Sequence, residues 1–402
     1  MSWDDTTSGP RRLLSRRRFV EGLTFAGCAG GTLWQNPLRA ALPAAAPATL
    51  SGPQLELLIS PLAVNVTGRR RLATAVNGSV PGPNLRLQQG ETVTIKVINR
   101  LAEPTSIHWH GLRLPSDQDG VPGLSFRGIP PGQSFSYRFA VRQGGTYWYH
   151  SHSGMQEQTG LYGALLLVPR AAEPYAYDRD YVVLLADWTD EDPMTVASNL
   201  KQQSGYYNFQ QRTLATLAHD VERAGVKATL EDRLMWERMR MNPTDLMDVT
   251  GATYTFLVNG HSPAANWTGL FSPGEKLRLR FINASAMTTF DVRIPGLALS
   301  IVAADGNDVE AVAVEEFRIA VAETYDVIAT PREPVAYTIF AQAQDRSGYA
   351  RATLAPREGM TGAVPPLDRP ALRSASDMGM SDMAGMAAMN MSAGVSNADG
   401  VD

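Results

Sequence analysis

The sequence predicts an all-β fold of two tandem Greek-key β-sandwiches, the second of which carries a partly helical insertion. Apolar and polar residues alternate at the start of 92–98 and along 134–139, which is the pattern of half-buried strands. Turn chemistry rich in Gly, Pro and Asn separates such segments, as at 76–83. Short strands separated by turns at this spacing are typical of a sandwich.

An internal repeat indicates two copies of one sandwich. The tripeptide Val-Asn-Gly at 76–78 recurs at 258–260, and the strand-like segment 90–99 recurs as 274–283. A shared segment order of this kind predicts that both copies fold in the same way.

These patterns place the first sandwich at 53–170 and the second at 178–356. A polar insertion interrupts the second copy between about 199 and 248, and a Pro- and Met-rich tail covers 357–402. Apolar residues in the insertion recur at helical spacing; they are Leu214, Leu217, Ala218 and Val221, followed by Leu230, Leu234 and Met235.

Residues 1–48 have the organisation of an export signal. The segment SRRRFV at 15–20 resembles the twin-arginine motif, an apolar glycine-rich run covers 22–33, and alanines at 40–48 offer cleavage points. We therefore expect export to the periplasm through the twin-arginine pathway. An ordinary basic N-terminus is the alternative.

The one cysteine, Cys28, lies within this signal. Lipid anchoring there is disfavoured because Phe25 is a poor first residue for a lipidation motif. Removal of the signal leaves no thiol for a disulfide or for a metal. No later segment is apolar over the roughly 18 residues that a transmembrane helix needs, and a net charge of −4 without a basic stripe argues against a nucleic-acid partner.

Four of the six histidines form two pairs, His108 with His110 and His150 with His152. Side chains at i and i+2 of a strand point to the same face, so each pair presents two imidazoles together. Imidazole is a ligand for copper, zinc, iron and nickel, and copper(II) has the highest intrinsic affinity. Two metal-free histidine pairs are the alternative.

The segments around these pairs resemble the multicopper oxidase family, and within it the periplasmic copper-resistance branch. The twin-arginine leader and the methionine-rich tail match that branch as well, so the resemblance covers essentially the whole chain. The matching segments are IHWHGLRLP at 107–115, DGVPG at 119–123, GTYWYHSHSG at 145–154, QEQTG at 156–160, YYNFQ at 206–210 and DRLMW at 232–236.

The resemblance implies cupredoxin-like sandwiches and a trinuclear copper cluster that reduces O₂ to water with electrons from a type 1 copper. By position, His108 matches a type 2 copper ligand, whereas His110, His150 and His152 match type 3 ligands. Asp119 matches a carboxylate that helps to deliver protons to the cluster, and a turn residue before Gly120 is the alternative.

The sequence departs from the family in two respects. It has no His-Cys-His segment for a type 1 copper, and no histidine follows His261. The register places 288–293 opposite 105–110, so the second copy has the strand without the ligands. We therefore expect a chain truncated before a C-terminal cupredoxin domain, with half of the trinuclear site.

Three functions follow from this comparison. The first is a periplasmic copper-resistance oxidase that acts on copper(I) or phenol-like donors with O₂ as acceptor, present here as a two-domain part inactive alone. The second is a copper-binding or sequestering protein without turnover. The third is a copper-free scaffold in the cell envelope.

The tail adds a candidate copper(I) site, because thioethers are soft ligands that select copper(I). We expect the tail at 357–402 to be disordered, and a low-complexity segment without metal is the alternative to the copper(I) site. The clustered methionines are Met378, Met380, Met383, Met386, Met389 and Met391.

Overall fold

The computed structural model describes residues 47–370, 372–374 and 377. Within these residues the chain forms twenty strands and three helices, which confirms the predicted all-β fold with a helical insertion. Three predicted features lie outside the described residues: the expected export signal as far as residue 46, Cys28 within it, and the methionine cluster from Met378 to Met391.

The first pair of sheets shares one apolar core, because alternate residues of both sheets point inward. One sheet has the strand order β1-β4-β9-β8-β6 and the other has the order β3-β2-β5-β7. The strands are β1 (Thr49–Ser51), β2 (Gln54–Asn65), β3 (Arg70–Val76), β4 (Asn84–Gln88), β5 (Thr92–Asn99), β6 (His108–His110), β7 (Ser134–Ala140), β8 (Gly145–His150) and β9 (Tyr162–Val168).

The second pair of sheets encloses a second core, larger than the first. Its sheets have the orders β11-β10-β13-β18-β15-β16 and β12-β20-β19-β14-β17. The strands are β10 (Arg179–Thr189), β11 (Tyr254–Val258), β12 (Trp267–Leu270), β13 (Leu277–Asn283), β14 (Phe290–Arg293), β15 (Leu299–Ala304), β16 (Asn307–Val314), β17 (Glu316–Ile319), β18 (Thr324–Ala329), β19 (Tyr337–Ala343) and β20 (Tyr349–Ala355).

The helical insertion consists of α1 (Pro193–Gln202), α2 (Leu214–Ala224) and α3 (Val226–Arg238). Helix α1 starts before the predicted insertion because Asp192 caps it and Pro193 fits its first turn. The apolar spacing correctly predicts α2 and α3, but it does not mark a buried face: α2 has no buried residue, and Leu214 is 85% exposed. No described helix is long and apolar enough to cross a membrane.

The internal repeat is visible in the hydrogen bonds of its turns. Asn77 and Asn259 both adopt φ near +50°, a left-handed conformation that Asn tolerates well. The side-chain oxygen of Asn77 accepts from the Leu58 amide at 2.6 Å, and that of Asn259 accepts from the Leu184 amide at 2.9 Å. The same residue therefore fixes the same turn in both copies.

The two pairs of sheets meet in a buried ionic network. Arg278 and Asp326 are 0% and 1% exposed and lie 2.5 Å apart. The Thr146 hydroxyl on β8 donates to Asp326 at 2.7 Å and accepts from Arg280 at 2.8 Å. These contacts tie β8 of the first pair to β13 and β18 of the second.

Part of the predicted tail packs against the second pair of sheets. Asp368 lies 2.9 Å from Arg293, and its amide donates to Gln342 at 3.1 Å. Thr338 donates to the Ala363 carbonyl at 2.8 Å. Over residues 357–370 the structure differs from the expected disorder, because side chains of the sheet supply hydrogen-bond partners that composition does not reveal.

The ionic network yields a prediction about stability. We expect Asp326→Ala to destabilise the protein by about 3 kcal/mol, because Arg278 and Arg280 lose a buried counter-charge. The midpoint of urea unfolding measures this loss. Glu56→Ala is the matched control: its partner Lys96 is exposed and lies 3.3 Å away, and such a pair contributes less than about 1 kcal/mol. Equal unfolding midpoints for the two variants would show that the ionic network does not contribute this stability.

Candidate metal centre

The pairing of β6 with β8 brings the two histidine pairs together. The strands are antiparallel, with His108 opposite His150, Trp109 opposite Tyr149, and His110 opposite Trp148. Because side chains alternate along a strand, His108, His110, Trp148 and His150 share one face of the sheet. The alternation of side chains along each strand and the register of the two strands together create the cluster of imidazoles.

Three imidazoles approach closely enough to share a metal ion. The candidate ligand atoms of His108, His110 and His150 lie within 4.8 Å of one another. His110 Nδ1 and His150 Nε2 are 3.2 Å apart, so in the metal-free protein one nitrogen donates to the other. His152 is exposed, and its ring lies 4.8 Å from that of His108 and 4.9 Å from that of His150.

Oxygen acceptors set the tautomers of two of these rings. His108 Nδ1 lies 2.9 Å from the Asp119 carbonyl oxygen, and His150 Nδ1 lies 2.6 Å from Glu157 Oε2. Because carbonyl and carboxylate oxygens only accept, each Nδ1 carries the proton and each Nε2 keeps its lone pair. Metal-bound histidines commonly have such an oxygen partner on the other nitrogen.

Three histidines of the cluster, His108, His110 and His152, have lowered pKa values and are neutral near pH 7. Burial, together with repulsion from the neighbouring imidazoles, lowers the pKa of His110 to about 4. Burial also lowers the pKa of His108 and of His152, and for His108 it outweighs the opposing effect of Asp119. Neutral imidazole is the form that binds metal.

The two tryptophans beside the histidines have different environments. Trp109 points into the core of the first pair of sheets and packs edge-on against Tyr137, at 5.3 Å between ring centroids. Trp148 is 1% exposed and stacks on His150 at 4.1 Å and 14°. Only Trp148 therefore covers the imidazole cluster, although the sequence places both tryptophans next to it.

Asp119 contacts His108 mainly through its backbone. Its carboxylate oxygen Oδ2 is 3.4 Å from His108 Nδ1, farther than its carbonyl oxygen. Gly120 follows at φ +81°, and a Cβ there would lie 1.7 Å from the Ile107 carbonyl oxygen, so the turn requires glycine. A turn role is visible, and the proton-delivery role of Asp119 stays a prediction.

Glu157 was missed as a site residue by sequence reasoning. It belongs to the segment QEQTG at 156–160, yet no period relates it to His150, seven residues earlier. The turn at 153–159 brings its carboxylate back to the imidazole. A carboxylate a few residues after a histidine pair is a weak signal in a sequence. The spacing does not show where the carboxylate points or how far it lies from the imidazole.

The second copy carries an ionic cluster where the first carries histidines. Asp291 on β14 is 3% exposed and lies 2.7 Å from Arg318 and 2.6 Å from Arg346. The remaining histidines lie apart from the metal centre: His219 is exposed on α2, and His261 is buried with its Nδ1 2.9 Å from the Asn259 carbonyl oxygen. The structure thus places the imidazole cluster on the first pair of sheets.

The donor set fits copper. The cluster offers imidazole nitrogens, Nε2 of His108 and of His150 carry lone pairs, and the rings of His110 and His150 converge. Imidazole is a preferred ligand for copper. Fold and site together define a cupredoxin-like protein with a candidate metal centre of histidines.

The chain belongs to the multicopper oxidase family. Sequence models described as multicopper oxidase match residues 59–172 and 179–359. It is 58% identical over 377 residues to copper resistance protein A of Escherichia coli, covering 92% of this chain and 62% of that protein. It is 31% identical to the multicopper oxidase MmcO of Mycobacterium tuberculosis, covering 89% of this chain and 68% of MmcO.

Solved structures share the fold. The L499M mutant of the laccase from B. aclada superposes with a TM-score of 0.61 at 24% identity, over 81% of this chain and 56% of the laccase. Fet3p, described as a multicopper oxidase that functions in iron import, gives 0.60 at 22% identity, over 80% of this chain and 55% of Fet3p. The chain spans about three-fifths of the length of the copper resistance proteins that it matches.

The lowered histidine pKa values predict a pH-dependent stability of the metal-free protein. Between pH 6.5 and about 4 the unfolded chain binds more protons than the folded protein, so stability falls as the pH falls through this window. For the partly exposed ring of His110 we expect a loss of roughly 1 kcal/mol across it. Thermal unfolding without copper measures the effect.

His110→Gln should flatten this pH dependence. The control His219→Gln changes an exposed ring on α2, away from the cluster, and should leave the dependence unchanged. If His110→Gln keeps the full dependence of the unsubstituted protein on pH, the desolvated imidazole is not its source.

Proposed function

We propose that this chain forms the copper-binding part of a copper-resistance multicopper oxidase. In this proposal, residues 53–170 and 178–356 are two cupredoxin-like domains, and the first supplies half of a trinuclear copper site. The observation that carries the proposal is the convergence of His108, His110 and His150 within 4.8 Å. The identity of 58% to copper resistance protein A supports it.

Each histidine has a proposed role in holding copper. His108 binds the type 2 copper through Nε2, because its Nδ1 is occupied by Asp119. His110, His150 and His152 bind the type 3 pair. When bound, copper supplies one-electron redox chemistry toward O₂, with copper(I) or phenol-like compounds as donors.

Other side chains prepare the site for that chemistry. Trp148 stacks on the His150 ring and excludes water from one side of it. The carboxylate of Asp119, 3.4 Å from His108 Nδ1, can hold a proton beside the cluster. Beside His110 a cavity of about 230 Å³, lined also by Asp305 and Glu323, leaves solvent a route to the ring.

We also propose that the protein works in the periplasm. The twin-arginine-like segment at 15–20 and the alanine-rich segment at 40–48 support export. The copper-free scaffold is disfavoured, because a scaffold has no need for three imidazoles that converge in a partly buried site.

Removal of two histidines tests the copper site. His108→Ala combined with His150→Ala takes away the two rings whose Nε2 atoms are free for metal, so we expect the bound copper at equilibrium to fall by at least half. Elemental analysis after equilibrium dialysis measures the stoichiometry. His219→Ala is the matched control, since its ring is exposed and lies apart from the cluster. Unchanged stoichiometry in the double variant would rule out the histidine site.

Oxygen consumption, measured with an oxygen electrode, distinguishes a chain that has half of an oxidase site from a chain that has a complete site. The 402 residues contain four paired histidines and, outside the predicted signal, no cysteine. We therefore expect the copper-loaded chain to consume no more O₂ with a phenol-like donor than the His108→Ala/His150→Ala variant does. Turnover that depends on the two histidines would contradict the half-site and indicate an oxidase complete in itself.

A further inference from the structure

Three consecutive side chains after the second histidine pair bond three different parts of the protein. Gln156 is 3% exposed; it accepts from Thr105 at 2.6 Å and donates to the Pro104 carbonyl at 2.9 Å. Gln158 is 9% exposed; it donates to the Asp187 carbonyl at 2.8 Å. Glu157 lies between these anchors, so its backbone is held on both sides.

Gln158 also connects this segment to the second pair of sheets. Its side-chain oxygen accepts from the Tyr254 hydroxyl at 2.9 Å, and its partner Asp187 is 3% exposed. The Asp187 carboxylate accepts from the Ala286 amide at 2.9 Å and from the Thr288 hydroxyl at 2.7 Å. These buried bonds fix the position from which Glu157 reaches the metal centre.

The carboxylate of Glu157 is directed at one imidazole. Its Oε2 is 2.6 Å from His150 Nδ1, whereas the alternative acceptor, the Ser151 carbonyl oxygen, is 3.2 Å away. Among the described residues, this carboxylate has no other hydrogen-bond or ion-pair partner. If this carboxylate served only to stabilise its own turn, it would accept hydrogen bonds from backbone amides of that turn.

The same ring is constrained on its face and on its second nitrogen. Trp148 stacks on it at 4.1 Å, and its Nε2 lies 3.2 Å from His110 Nδ1. Stacking alone leaves the ring free to rotate by 180° about χ2, which would put Cδ2 where Nδ1 lies and Cε1 where Nε2 lies. The acceptor at Nδ1 removes that freedom.

We propose that Glu157 is a positioning residue for the copper centre. It holds His150 as the Nδ1–H tautomer and directs the Nε2 lone pair toward the metal, and as an anionic acceptor it makes the imidazole a stronger donor. This inference rests on the proposed copper function of the cluster. It adds a residue that contacts neither copper nor substrate.

The test compares Glu157→Ala with Glu157→Gln. Loss of such an outer partner typically lowers metal affinity by about 10- to 100-fold, so we expect a drop of that size in copper(II) affinity for Glu157→Ala, measured by competition with a chelator. Glu157→Gln keeps an oxygen acceptor and should recover most of the affinity. Glu56→Ala, a carboxylate in an exposed pair with Lys96, is the matched control and should bind copper as the unsubstituted protein does.

A second readout needs no metal. With ¹⁵N-labelled histidine, the ring nitrogens of the metal-free protein report which nitrogen carries the proton. We expect a protonated Nδ1 for His150 in the unsubstituted protein and in Glu157→Gln, and a mixture of tautomers in Glu157→Ala. Glu56→Ala, which removes an exposed carboxylate paired with Lys96, is the control and should leave the His150 tautomer unchanged.

The outcomes distinguish this inference from the proposed function. If Glu157→Ala keeps both the affinity and the tautomer of the unsubstituted protein, or if Glu56→Ala alters the tautomer equally, Glu157 has no positioning role. If the unsubstituted protein binds no copper at the histidines, the proposed function fails, and the tautomer measurement still decides whether Glu157 orients His150.

Discussion

The antiparallel register of β6 against β8 is the constraint on which the candidate metal centre depends. His108 stands opposite His150, and a shift of one residue would replace histidines on that face by Trp109 or Tyr149. Those two aromatic side chains are 0% exposed in the core behind the strands. Moving them to the open face would expose large apolar surfaces, so the hydrophobic effect that forms the core also sets the register of the imidazoles.

The second pair of sheets stabilises the strand that carries His150. Thr146, four residues earlier on β8, bonds to both Asp326 and Arg280 in a region closed to solvent. Charges in such a place are costly unless each one is paired, and here Arg278 and Arg280 have carboxylate partners. The copy without the imidazole cluster therefore contributes to the site indirectly, by fixing the end of β8 opposite to the ligand.

Sequence reasoning succeeds where a local period determines the outcome. Strand alternation and the Val-Asn-Gly repeat predict the fold, and the i, i+2 spacing places each histidine pair on one face. Such reasoning fails where a contact between two side chains depends on the path of the backbone through a turn. Glu157 and the separate environments of Trp109 and Trp148 follow from tertiary packing, and the order of residues alone does not encode them. Helix α2 shows the same limit: none of its residues is buried, because helical spacing predicts a helix without showing whether another element covers its apolar side.

The two copies differ in how one position of this fold satisfies its buried polar groups. In the second copy the carboxylate of Asp291 bonds to Arg318 and Arg346, so its buried charge is satisfied within the protein. In the first copy Nδ1 of His108 and of His150 have oxygen partners and Nε2 of His150 lies 3.2 Å from His110, whereas Nε2 of His108 has no hydrogen-bond partner among the described residues. A cation that bound only the folded protein would relieve this deficit and would stabilise the fold in proportion to the logarithm of its concentration. We therefore expect the open imidazole nitrogen of the first copy to favour a cation, whereas the ionic cluster of the second copy is satisfied within the protein and has a structural role.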